Sequence, residues 1–160
     1  KQALKWYRLA AEQRQHNVQN NLGWMHEKGR GAPQDYKQAV KWYRLAAEQG
    51  QHNAQTNLGR MYYNGRGVPQ DYKEVVQWFR LAAEQGYAKA QFNLGVMYGK
   101  GKGVIQNDVS AHVWWNIAAS QGLEDAAKNR DIVSKKMTPS QIEKAQDLAR
   151  KCVKKNYKGC

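Results

Sequence analysis

AQTNLGRMYYNGRGVPQDYKEVVQWFRLAAEQG, residues 54–86, decides the fold. Ala54, Leu58, Met61 and Tyr62 recur at helical spacing and the run stops at Gly65-Arg66-Gly67, which predicts a helix over 53–64 closed by a glycine turn. Asp71 then offers an N-cap, with Glu74 three positions on in capping-box spacing, and a second helix runs to Gln85 before Gly86 stops it. Strand signals are absent, so the unit is helix, glycine turn, helix.

Outward from this stretch the unit is copied. A shift of 36 lays Lys5-Trp6-Tyr7-Arg8 on Lys41-Trp42-Tyr43-Arg44, on Gln77-Trp78-Phe79-Arg80 and on Val113-Trp114-Trp115-Asn116 without gaps. Asn21-Leu22-Gly23, Asn57-Leu58-Gly59 and Asn93-Leu94-Gly95 fall into the same register, as do the glycine pairs 29/31, 65/67 and 101/103. A period in this range marks a solenoid, because a lone helix pair hides its apolar face only by stacking on the next pair. The predicted fold is all-α, a right-handed α-α superhelix of stacked 36-residue helix-turn-helix repeats. Residues 1–160 read as a single solenoid: 1–14 is the second helix of a truncated repeat, 15–50, 51–86 and 87–122 are full repeats, and 123–160 supplies divergent capping helices. Because Lys1 to Glu12 copies Lys37 to Glu48, a partner helix is expected upstream. In the capping segment Asn129 still aligns with Asn93, but Arg130 and Asp131 replace Leu94 and Gly95. Thr138, followed by Pro139, is the expected N-cap of a last helix. Mid-helix Gly23, Gly59 and Gly95 each cost about 1 kcal/mol relative to alanine, so three in register predict close helix–helix approach.

Composition narrows the function. Hydrophobic residues make up 41%, with six Trp, nine Tyr and two Phe, which excludes a disordered chain. No run approaches the ~18 apolar residues of a membrane span, and the opening residues lack a signal-peptide layout, so any such leader is expected upstream. Lys plus Arg number 26 against 13 acids, a formal charge of +13 that attracts acidic proteins and other polyanions. Residues 128–160 carry ten basic side chains and three acids, Asp131, Glu143 and Asp147.

The pattern Ala-Gln-x-Asn-Leu-Gly-x-Met-Tyr-x-x-Gly-x-Gly-Val, followed by Asp-Tyr-x-x-x-x-x-Trp-x-x-x-Ala-Ala-x-x-Gly, resembles the Sel-one-like repeat family, a relative of the tetratricopeptide repeats. The resemblance covers residues 1 to about 122 and implies a right-handed α-superhelix serving as an adaptor for protein complexes.

Differences among the copies show where packing does not dictate identity. In the first helix of each repeat the variable positions are those of Asn17, Asn20, Trp24, Glu27 and Lys28, which fall within an arc of about 100°. Related solenoids line their concave surface with this helix, so the arc is expected to be the inner wall and to hold the partner. The candidate contact residues are Asn20, Trp24, Lys28, Asn53, Thr56, Arg60, Tyr63, Lys89, Phe92, Val96 and Lys100. Aromatic rings beside Arg and Lys have the composition of interface hot spots. Replacing Trp24, Arg60 and Phe92 together is expected to abolish capture without lowering stability. Arg8/Glu12, Arg44/Glu48 and Arg80/Glu84 read as i,i+4 pairs on solvated outer faces, and the Trp6, Trp42, Trp78, Trp114 ladder as core.

The expected partner is an acidic protein or peptide bound by a monomer, with no specific nucleic acid and no transmembrane segment. The Gly29-Arg30-Gly31 turns follow helices and lack a phosphate-loop continuation. His16, His26, His52 and His112 form no His-Glu-x-x-His group, and Ser110, Ser120, Ser134 and Ser140 have no Lys three residues on. No catalytic residue, metal site or cofactor is predicted. Cys152 and Cys160 are spaced wrongly for Cys-x-x-Cys chemistry, leaving a terminal disulfide or two free thiols. A disulfide would place the protein in the periplasm or outside the cell. The spacing is similar to that in the cysteine-rich secreted branch of the family, which implies an alternative role in binding β-lactams or cell-wall peptides, or in hydrolysing β-lactams. A third reading sends polyanions to Lys135, Lys136, Arg150, Lys151, Lys154, Lys155 and Lys158, against a merely solvated basic cap.

Overall fold

The computed structural model describes residues 2–13 and 15–160, and the segment ends read at Lys1 and Arg14 lie outside them. Among the described residues there are nine α-helices and no strand: α1 (Gln2–Glu12), α2 (His16–Lys28), α3 (Tyr36–Glu48), α4 (His52–Asn64), α5 (Tyr72–Ala83), α6 (Ala88–Lys100), α7 (Asp108–Ser120), α8 (Glu124–Ser134) and α9 (Pro139–Lys154). The first helices α2, α4 and α6 start 36 residues apart, at His16, His52 and Ala88. Each ends on a left-handed glycine, Gly29, Gly65 or Gly101, at φ 65°, 63° and 63°.

The caps follow the sequence with one amendment. Asp35 accepts from the Gln38 amide at 3.1 Å and Asn107 from the Ser110 amide at 3.0 Å. Asp71 accepts from the Lys73 and Glu74 amides, but Glu74 does not complete the expected box. Its carboxylate instead accepts from Trp78 Nε1 at 3.2 Å. A complete capping box stands at Thr138 and Gln141, opening α9 with Pro139 in its first turn.

The chain divides into two compact units, Lys1–Trp78 and Phe79–Cys160. In the first, Ala39, Val40, Tyr43, Ala46 and Ala47 of α3 bury themselves against Ala54, Leu58 and Met61 of α4. A second cluster joins Ala11, Leu22 and Trp42 to Leu4, Val18 and Met25. Gly23 is there for the predicted reason: a Cβ on it would lie 2.6 Å from the Tyr43 ring. The tryptophan ladder is core at Trp42 and Trp114 and half-buried at Trp78, but Trp6 is 69% exposed. Trp42 is covered by side chains of α1 and α2, and no described residue does the same for Trp6.

In the second unit α7 packs against α6, α8 and α9. Trp114, Ile117 and His112 of α7 are fully buried, and Ala126, Val133, Ala145 and Ala149 close over them from α8 and α9. Gly95 repeats the role of Gly23, since its Cβ would meet Trp115 Nε1 at 2.6 Å. Beyond α9 the backbone turns back through left-handed Asn156 and Tyr157, and a disulfide joins Cys152 to Cys160. Of the two alternatives left by the sequence, the structure holds the bridge.

One side-chain device recurs. Gln19, Gln55 and Gln91 each donate Nε2 to a carbonyl in the last turn of the preceding helix, Ala11, Ala47 and Ala83, at 2.7, 3.2 and 3.1 Å. The paired outer-face ions form at none of their three positions among the described residues. Arg44 donates to the Tyr62 hydroxyl and Arg80 to the Tyr98 hydroxyl, so these guanidiniums join a second helix to the following first helix and leave Glu48 and Glu84. No described helix is long and apolar enough to cross a membrane.

Candidate functional site

In the first unit the variable arcs of α2 and α4 lie side by side and are stitched together. Gln51 donates to Asn17 at 3.3 Å and Asn57 to Asn20 at 3.1 Å. Arg60 grips Glu27 with both guanidinium nitrogens at 2.7 Å. Glu27 was placed on the wet arc, yet its side chain is 1% exposed. The variable positions therefore include one edge that serves packing between repeats. That edge carries Glu27 and Thr56, the latter 5% exposed with its hydroxyl donating to the His52 carbonyl. Thr56 is corrected from contact residue to packing residue.

Glu27 is the electrostatic centre of this region. Burial raises its pKa, but hydrogen bonds from Arg60, Tyr43 and Lys28 outweigh burial and hold the carboxyl at about 2. Tyr43 donates its hydroxyl at 2.7 Å, and burial together with Glu27 pushes its own pKa far up. Arg60 has its pKa raised by the carboxylate it binds. It is a half-buried structural cation, so removing it would strand a buried charge. The triple replacement that includes Arg60 therefore cannot be neutral to stability.

What stays wet in this unit is Trp24, 40% exposed, with the Arg30 guanidinium 5.4 Å from its ring centroid. Lys28 is exposed, Asn20 and Asn53 are half-buried, and half-buried Tyr63 tilts against Tyr72 with centroids 5.4 Å apart. Two features escaped the sequence reading: Arg30 over Trp24, and the Glu27–Arg60 pair. The second had a signal. The copies of Glu27 are Tyr63 and Gly99 and those of Arg60 are Trp24 and Val96, so two opposite charges depart from the repeat together.

In the second unit Lys89 and Lys100 are exposed while Phe92 and Val96 are half-buried. The Phe92 carbonyl accepts from Trp115 Nε1 at 3.1 Å, fixing the indole beneath the arc of α6. Val96 and Lys100 line a cavity of about 200 Å³ with residues of α7 and α8.

The basic end is mostly solvated: Lys135, Lys136, Lys154, Lys155 and Lys158 are exposed, and Arg150 and Lys151 pair with Asp147 at 3.7 and 2.7 Å. Ser120 and Ser134 donate their hydroxyls to the Ile117 and Arg130 carbonyls. Among the described residues no three His, Cys, Asp or Glu side chains converge to hold a metal ion.

Comparison with known proteins agrees with the register. The Sel1 repeat profile matches residues 1–14, 16–51, 52–87 and 88–123. No curated protein matches in sequence. Among solved structures, a protective antigen present in uropathogenic Escherichia coli strains, displaying an SLR fold, is 30% identical with a TM-score of 0.73. That match covers 97% of this chain and 42% of the other. A Sel1 repeat protein from Oxalobacter formigenes is 34% identical, TM-score 0.73, over 82% of this chain and 56% of its own. Helicobacter pylori cysteine rich protein B is 26% identical, TM-score 0.62, over 80% and 92%. The chain thus spans about half the length of the first two. Proteins built of these repeats are generally protein-interaction scaffolds. With the profile matched four times in the register of the helices, this chain belongs to the Sel1 repeat family.

Proposed function

We propose that the chain holds an acidic protein or peptide partner along the exposed arcs of its first helices. The observation that carries this is Trp24, a large ring left 40% exposed on the side of α2 opposite fully buried Leu22 and held in place by Arg30. A rigid aromatic ring beside cations has the make-up of an interface anchor. Lys28, Lys89 and Lys100 extend the positive character along the same register positions, and the net charge of +13 favours an acidic partner. The concave placement of these arcs, the reading of 1–160 as one array capped by 123–160, and a monomeric state belong to the same proposal. So does a periplasmic or secreted location, which the Cys152–Cys160 bridge supports. The β-lactam or cell-wall-peptide alternative rests on cysteine spacing, and a chromogenic β-lactam assay with no turnover removes its enzymatic form.

The test is affinity capture with the wild type against a Trp24→Ala, Lys89→Glu, Lys100→Glu variant, all three at exposed positions and none touching Glu27. The variant is expected to keep its thermal midpoint and lose the captured partner. Equal capture by both proteins overturns the assignment.

A further inference from the structure

The cavity under the end of α6 is more specific than the arc as a whole. Its floor is the indole of Trp115, its walls include Val96, Ile132 and Val133, and Lys100 and Lys136 stand at its rim. The repeat register shows why it is open. The position held by Glu27 in α2 and Tyr63 in α4 is Gly99 in α6. Where Glu27 places a carboxylate on the Tyr43 hydroxyl at 2.7 Å, the third copy has no side chain over its aromatic partner. A Cβ on Gly99 would approach Trp115 Cη2 at 3.1 Å, a tight contact that the ring would have to relieve by shifting a few tenths of an ångström.

We propose that this cavity receives one phenylalanine- or leucine-sized side chain of an acidic peptide, whose neighbouring carboxylates reach Lys100 and Lys136. The proposal rests on the reading that the first-helix arcs hold the partner, and it names the anchor. About 200 Å³ is below the roughly 300 Å³ at which small-molecule sites begin, but suits a single apolar side chain. Ile132, 58% exposed, leaves an apolar wall unsatisfied by the fold. Neither Lys100 nor Lys136 has an ion-pair partner among the described residues. The single acid at the site, Asp108, lies in the first turn of α7 and accepts from Gln106 at 2.6 Å, so the surplus charge facing a ligand is positive.

The probe is a capped, fluorescein-labelled peptide with one phenylalanine between two acids on each side, and a twin with alanine in its place, titrated by fluorescence polarisation. The phenylalanine peptide is expected to bind the wild type saturably and at least tenfold more tightly than its twin. Ile132→Glu, at an exposed site and with its folding checked by circular dichroism, is expected to weaken it at least tenfold, and Trp24→Ala by less than twofold. Equal affinity of the two peptides, undiminished binding to Ile132→Glu, or no saturable binding overturns the pocket. Loss on Trp24→Ala with retention on Ile132→Glu overturns the pocket but leaves the arc reading standing, whereas phenylalanine-dependent binding that survives both substitutions overturns both.

Discussion

Glu27 concentrates the consequences at the scale of single residues. Its carboxyl sits at about 2 in the fold against 4.5 when unperturbed, so its contribution is complete above pH 4.5 and is lost as pH falls toward 2. Burial lowers His26 and His112 below 6.5, so their contribution too is present above that pH and fades on acidification. Urea midpoints are therefore expected to fall in two stages, the first beginning below pH 6.5 and the second between 4.5 and 2, with Glu27→Gln shrinking the second. Arg60→Ala is expected to cost about 2 kcal/mol at neutral pH, because buried Glu27 loses its bidentate cation and keeps only Tyr43 and Lys28. A cost within 0.5 kcal/mol, the range of ordinary surface changes, would show that water replaces the guanidinium. Gly23→Ala sets two effects against each other. Helix propensity favours alanine by about 1 kcal/mol, while overpacking on the Tyr43 ring, 2.6 Å from the new Cβ, costs about 1–3 kcal/mol. Net destabilisation is expected, read from the thermal midpoint against Lys100→Ala at an exposed site, which should be nearly silent.

At the scale of helices, Thr138 closes the N-terminus of α9 with a complete capping box, and Thr138→Ala is expected to cost about 1 kcal/mol in a chemical denaturation. Removing the bridge by Cys160→Ser should cost about 2–3 kcal/mol at most, the loop between the cysteines being short. Helices were legible in the sequence because their signals are local: α4 begins one residue before the expected start and ends where expected, and the stops at Gly29, Gly65 and Gly101 are used, while α5 ends at Ala83, two residues short of the expected Gln85. The binding surface was legible only in part. Variation among copies cannot tell a residue freed from packing from one that packs in a way peculiar to its own repeat, and Glu27 and Thr56 are of the second kind. Arg44 and Arg80 were misassigned for a related reason. The i,i+4 rule sees only the helix they stand on, and their hydrogen bonds go to Tyr62 and Tyr98, 18 residues ahead on another.

For the molecule as a whole, the charge of +13 sets the expected behaviour toward any anionic surface: retention on a sulfated resin should fall steeply as salt is raised. Binding through the Trp115 cavity should retain its preference for phenylalanine over alanine across the same salt range, because that preference is apolar. Nearest-neighbour stacking makes stability a sum over units and the junctions between them. The glutamines that reach back from α2, α4 and α6 to Ala11, Ala47 and Ala83 carry this to its conclusion. Each spans eight residues across a turn, so deleting one residue there slides the amide off its carbonyl and rotates the following helix by about 100°. Copying a complete block preserves every such clasp. A lineage built this way can lengthen or shorten only in whole modules, and its successful insertions should come in multiples of 36.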